Sequence, residues 1–175
     1  MPRFIARLLP QLLVLLAHPV QADEVGVGRL APECRLQALG ESPGLALSNY
    51  RGKVIYVDFW ASWCVHCGPA FRFLNALETE FRDAGFAVVG VNVDERENLA
   101  LRFLDRNPAR FAVAADVSGR CPAAFSVAAM PSSFLLDRDG VIRRVHVGFR
   151  ERDVQARREE IRRLIMGSVP DGADR

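Results

Sequence analysis

The sequence has no apolar run approaching the ~20 residues that a membrane-spanning helix requires. Its most hydrophobic stretch, Leu12-Leu13-Val14-Leu15-Leu16-Ala17, is bounded by Pro10, Gln11 and His18. Nor is there an excess of one charge: 23 Lys and Arg against 21 Asp and Glu leave a formal net charge of +2. Composition therefore gives no indication of a nucleic-acid partner. Basic residues crowd Arg150-Glu151-Arg152 and Arg157-Arg158-Glu159-Glu160-Ile161-Arg162-Arg163, but acids interleave them, which reads as the solvated face of a terminal helix. No internal repeat or low-complexity tract occurs. Cysteine is scarce, at four residues, and only two of the four are close in sequence. A zinc site needs four ligands, and Cys34, Cys121, His18 and His146 supply no second closely spaced pair, so no metal is expected.

What the chain does have begins with Arg3 and Arg7 ahead of the short apolar run and Val20-Gln21-Ala22 behind it. This is the pattern of a secretory signal peptide over residues 1–22, and it predicts a periplasmic, exported protein, with an uncleaved anchor as the alternative. No cysteine stands at the cleavage position, so lipid attachment there is not supported. Residues 23–167 suit one domain with a full core, half of the whole sequence being hydrophobic. Residues 168–175 read as a flexible tail.

The chemistry concentrates in Val57-Asp58-Phe59-Trp60-Ala61-Ser62-Trp63-Cys64-Val65-His66-Cys67. An apolar strand pattern delivers two cysteines to the start of a helix. At this spacing they close or open a disulfide without disturbing the rest of the fold. Unpaired N–H groups and the positive helix end favour a thiolate on Cys64, the expected nucleophile. Cys67, one turn on and less exposed, is the expected resolving thiol. Val65 and His66, between them, are the positions that tune the pair, His66 by hydrogen bonding or charge in the oxidising direction. Trp60 reads as partly core, and Trp63 as a wall of the site surface. Asp58 lies in a strand that should be buried, which raises its pKa and suits proton transfer with Cys67. An acid merely hydrogen-bonded at the strand end is the other reading.

The periodicity predicts a central strand over 54–60 and a helix from Cys64 to Ala84 with Phe71, Leu74, Leu77, Glu78 and Phe81 inward and Gly85 as the stop. A second buried strand follows over 86–93. A helix over 97–107 turns Leu99, Phe103 and Leu104 inward and ends at Pro108. A short strand over 111–115, a hairpin of 133–136 and 141–147 about Asp137-Arg138-Asp139-Gly140, and a helix over 151–166 complete the pattern. Alternating strands and helices followed by a hairpin imply a mixed α/β sheet with helices on both faces.

Asp58-Phe59-Trp60-Ala61 with Trp63-Cys64-x-x-Cys67 resembles the active-site segment of the thioredoxin superfamily. Tyr50 to Trp60, Gly90-Val91-Asn92-Val93-Asp94 and Met130-Pro131-Ser132-Ser133-Phe134-Leu135-Leu136-Asp137 are similar to its extracytoplasmic TlpA/ResA-like branch. The resemblance covers about Val27 to Phe149. It implies a thioredoxin fold with extra N-terminal strands within 25–49 and a helix-strand insertion before a cis-proline at Pro131. That proline would set the Met130 backbone beside the sulfurs to pair with an extended substrate, with Trp63 also in the binding surface. It implies a protein thiol-disulfide oxidoreductase, a monomer with no cofactor beyond a redox-active Cys64–Cys67 disulfide. Its partners would be protein disulfides in cytochrome c or copper-site maturation, with a membrane thiol reductase as electron donor.

The sequence departs from many relatives at His66, Gly68, Ala70 and Arg72, which bear on the direction of electron flow. A disulfide-forming oxidase or isomerase, or a Cu(I)-binding chaperone using Cys64, Cys67 and His66, are the other readings. Cys34 and Cys121 permit a second, structural disulfide, with free thiols or contacts to a partner as alternatives.

Overall fold

The computed structural model describes residues 25–167; the signal peptide and tail read from the sequence lie outside them. Strand β3, Val54–Trp60, is buried along its whole length, as its apolar run requires. Parallel to it runs β4, Phe86–Asn92, and beyond that β5, Ala112–Ala115. On the other side lie β6, Ser132–Leu136, and β7, Ile142–Val147, antiparallel to their neighbours. The order β5-β4-β3-β6-β7 is the mixed sheet expected. Strands β1, Arg35–Leu36, and β2, Leu45–Ala46, pair as a separate short ribbon within the N-terminal extension.

Helix α1, Cys67–Phe81, buries Phe71, Leu74, Leu77, Glu78 and Phe81, the stripe that the periodicity predicts. It tightens into a 3₁₀ turn over Arg82–Ala84 and stops at Gly85, whose φ of 81° needs a residue without a Cβ. Helix α2, Glu97–Arg106, turns Ala100 and Phe103 inward, whereas Leu99 is only half-buried. A third, unexpected helix, α3, Arg120–Ala124, lies in the insertion between β5 and β6. Helix α4, Val154–Ile165, closes the fold after a 3₁₀ turn over Glu151–Asp153.

The sheet separates two cores. Val54, Tyr56 and Trp60 of β3 pack with α1, Phe103 of α2, and Ile161 and Leu164 of α4. Ile55, Val57 and Phe59, pointing the other way by strand alternation, pack with the N-terminal extension and with Cys121 and Phe125 of α3. Trp60 fills the first core against Phe71 and Phe103 at centroid distances of 5.0 and 4.9 Å. It fits because Gly90 of β4, opposite Asp58, has no side chain: a Cβ there would meet Phe111 at 3.0 Å and the Trp60 indole nitrogen at 3.2 Å.

One expectation about α4 needs correction. Its basic residues do not all face solvent: Arg157 is 6% exposed, and its guanidinium lies 5.8 Å from the Phe149 ring centroid. Its Nη2 donates to the Gly148 carbonyl at 2.9 Å. A long aliphatic stem lets arginine cross a core edge where a charge run suggests only a wet surface.

Candidate active site

Cys64 and Cys67 form a disulfide with their Cα atoms 5.4 Å apart. The helix does not start at Cys64, as the sequence suggested, but at Cys67, with His66 as N-cap. Pro69 supplies the reason. A helix starting at Cys64 would place Pro69 where an intrahelical N–H is required; starting at Cys67 leaves it at the third position, where that N–H has no partner anyway. Cys64 therefore sits in the tight turn before the helix. Its N–H donates to the Ala61 carbonyl at 3.1 Å, and its carbonyl accepts from Cys67 N–H at 3.2 Å.

In this oxidised state Cys64 is 7% exposed and Cys67 fully buried. Around them the surface is apolar and open: Trp63 is 66% and Val65 85% exposed, and His66 is exposed too. The Met130-Pro131 peptide is cis, with Pro131 buried and Met130 half-buried against both cores.

Sequence reasoning overlooked the anchor of this turn. Asp94, buried just beyond β4, accepts from Ser62 N–H and Ser62 Oγ at 2.9 Å each and from Asn92 Nδ2 at 2.8 Å. It thereby holds the segment before Cys64 against the carboxyl end of the sheet. Asn92 and Asp94 stand in the sequence where a central parallel strand ends, a place where site residues gather, and that was the available signal.

Asp58 is buried on the sheet face that also carries Tyr56 and Trp60. Its Oδ1 accepts from Ser133 Oγ at 2.7 Å, and Oδ2 is buried without a hydrogen-bond partner among the described residues. Burial pushes the carboxyl up to about 7, against the opposing pull of the Ser133 hydrogen bond and the Arg157 charge. The group is thus poised to take or give a proton near neutrality.

Cys34 and Cys121 are joined on the opposite sheet face, Cα to Cα 5.7 Å, across 87 residues of sequence. Asp116 presents Cys121 by accepting its N–H at 2.6 Å and that of Ser118 at 3.0 Å, which satisfies donors at the start of α3. Among the described residues no group of three or more His, Cys, Asp and Glu is arranged to hold a metal ion.

A family model described as Redoxin matches residues 26–163. The chain belongs to the Redoxin family. ResA, a thiol-disulfide oxidoreductase of Geobacillus thermodenitrificans, is 28% identical over 158 residues, 86% of this chain and 90% of that one. ResA of Bacillus thuringiensis subsp. konkukian is 27% identical over 120 residues, 69% of each chain. A crystal structure of a Chlorobium tepidum protein designated thiol:disulfide interchange protein DsbE superimposes with a TM-score of 0.78 at 38% identity, over 81% of this chain and 99% of that one. This Redoxin-family chain is a TlpA/ResA-like member of the thioredoxin superfamily and a protein thiol-disulfide oxidoreductase. Its Cys-x-x-Cys pair, Cys64–Cys67, is the redox-active disulfide and requires no external cofactor.

Proposed function

We propose that the protein is exported and reduces disulfides of other proteins outside the cytoplasm, serving cytochrome c or copper-site maturation. The observation that carries this reading is the placement of the Cys64–Cys67 disulfide beneath an open apolar rim of Trp63 and Val65, with Asp58 buried on the same sheet face. Cys64 attacks the substrate disulfide. The Cys67 thiol gives its proton to the Asp58 carboxylate, and its sulfur displaces the substrate thiolate from Cys64. The Met130 backbone beside Pro131 pairs with the substrate segment, as the family resemblance implies. A membrane thiol reductase then returns the pair to the dithiol. The Cys34–Cys121 disulfide is structural.

The reduction potential of Cys64/Cys67, measured in defined thiol buffers, tests the direction of electron flow. A value near that of thioredoxin, about −270 mV, is expected. One near about −120 mV, the DsbA end of the scale, overturns the reductant reading in favour of disulfide insertion. His66, exposed between the two cysteines, is the specific feature that favours this second reading.

A further inference from the structure

Beneath α4 a row of polar side chains runs outward from Asp58, and the exchange chemistry leaves all of it beyond Asp58 unused. Strand register sets Asp58 of β3 opposite Ser133 of β6, and Ser133 opposite His146 of β7, with Tyr56 two residues before Asp58 on the same face. Ser133 Oγ donates to Asp58 Oδ1 at 2.7 Å, and strand register sets Ser133 diagonal to Tyr56 on the same face. Tyr56 Oη is 3.1 Å from His146 Nδ1, and His146 Nε2 is 2.9 Å from Glu160 Oε2. Exposure rises along the row: Asp58, Ser133 and Tyr56 are buried, while the His146 and Glu160 side chains are 13% and 27% exposed.

The row has a direction. Arg157 Nη1 donates to Tyr56 Oη at 3.4 Å, and a guanidinium can only donate. The Tyr56 oxygen accepts there, and since the Glu160 carboxylate accepts from His146 Nε2–H, a neutral ring presents a bare Nδ1 to the Tyr56 O–H. When Asp58 is protonated, its O–H can donate to Ser133 Oγ while the Ser133 hydroxyl turns to Tyr56. Every donor then points from the core to solvent. The charged groups facing the row are Arg157, which has Asp153 4.0 Å away, and Arg144, which lies 3.6 Å from Glu160.

We propose that Ser133, Tyr56, His146 and Glu160 form a proton path between Asp58 and solvent, so that the proton taken from Cys67 leaves under α4 while substrate covers the front of the site. The proposal rests on the acid-base role assigned to Asp58 above. In resolution, the Cys67 S–H proton goes to Asp58, a Cys67–Cys64 S–S bond forms, the Cys64–substrate S–S bond breaks, and the substrate sulfur departs as a thiolate. The Asp58 proton then passes to Ser133 as the Ser133 proton passes to Tyr56, the Tyr56 proton to His146 Nδ1, and the Nε2 proton to Glu160 and water. Rotation of the Ser133 and Tyr56 hydroxyls, with loss of the imidazole Nδ1 proton and uptake of one at Nε2 through water, resets the row. These four are positioning residues for proton transfer, since none touches the reacting sulfurs.

The test is single-turnover resolution of the mixed disulfide formed from the reduced protein and oxidised glutathione, followed by acid quench and mass spectrometry at several pH values around neutrality. His146→Ala should slow resolution by about tenfold, imidazole should restore it, and the substitution should add nothing in an Asp58→Asn background. Tyr56→Phe, which keeps the buried ring and removes only the hydroxyl, should show the same slowing without imidazole rescue. If Asp58→Asn is slow while His146→Ala and Tyr56→Phe run at the parent rate, the path is overturned and the role of Asp58 stands. If Asp58→Asn itself runs at the parent rate, both fall. Slowing by His146→Ala that imidazole does not relieve and that persists beside Asp58→Asn is a packing defect, and it too overturns the path.

Discussion

The two disulfides occupy opposite faces of one sheet, and their surroundings differ in almost every respect. Cys64–Cys67 spans three residues, stands at the head of α1 under an open rim, and shares its face with the buried acid Asp58 and the polar row beneath α4. Cys34–Cys121 spans 87 residues and packs against the core of Ile55, Val57, Phe59 and Phe125, with Asp116 accepting the Cys121 N–H beside it, bridging the N-terminal extension to α3. Closing a three-residue ring restricts the unfolded chain little, so the first bond can be broken without much loss of stability. Closing a long loop restricts it strongly, so the second has much to lose. The acid buried on the first face, Asp58, leaves one oxygen without a hydrogen-bond partner among the described residues, whereas Asp116, beside the second bond, is committed to the N–H groups of Ser118 and Cys121.

Breaking each bond separately gives the sharpest contrast. Cys64→Ser should abolish disulfide exchange while leaving the unfolding midpoint nearly unchanged. Cys67→Ser should still react once and then remain as a mixed disulfide with substrate, which mass spectrometry detects directly. Retention of turnover by Cys64→Ser would place the nucleophile elsewhere.

The next largest effect is expected on the other face. Replacing Cys34 and Cys121 together with Ala should lower stability by about 4 kcal/mol in the chain-entropy account, read from denaturant unfolding, with exchange activity per folded molecule retained. Loss of activity in step with stability would mean that the second disulfide also shapes the site. A stability change below about 1 kcal/mol would mean that packing in this core, not the covalent tie, holds the extension down.

The same contrast explains what the sequence could and could not disclose. The central strands, the α1 stripe and the closing hairpin were legible because each has a strong period and a stop signal, as at Gly85 and Asp137-Arg138-Asp139-Gly140. Cys64, Cys67 and Asp58 were legible as candidates because they fall in one continuous segment. The start of α1 was misplaced because the backbone demand of Pro69 outweighed the cysteine spacing. Helix α3 was missed because five residues carry too little period to register, and the acid at its start, Asp116, stands ahead of the N-cap Gly119 rather than at it. Ser133, His146, Tyr56 and Arg157 were unreadable as a group. Cross-strand register and a helix arriving from the chain end bring them together, and no local spacing encodes that.

The last of the expected effects concerns Asp58, and its sign distinguishes the two faces. The carboxyl ordinarily titrates at 3.8 and is pushed by burial to about 7 in the folded protein. Between these values the native state holds a proton that the unfolded state has released. The neutral acid is therefore tolerated in full below about pH 4, and folding loses stability progressively as pH rises to about 7, beyond which a charge is buried. Asp58→Asn cannot ionise and escapes that loss. Its stability relative to the parent should be independent of pH below about 4, climb between about 4 and 7, and level off above, at a gain on the order of 4 kcal/mol. Denaturant unfolding across this range measures it, in the same oxidised state for both proteins. A flat difference would show that Asp58 is not held as a raised buried acid, and proton transfer from Cys67 would then need another acceptor. A rise of the expected form, together with slower mixed-disulfide resolution, would mean that the protein retains a destabilising carboxylate on its redox face because exchange requires it. The face that holds Cys34–Cys121 buries no such group at the matching positions of β3, where Val57 and Phe59 flank the same strand with apolar side chains.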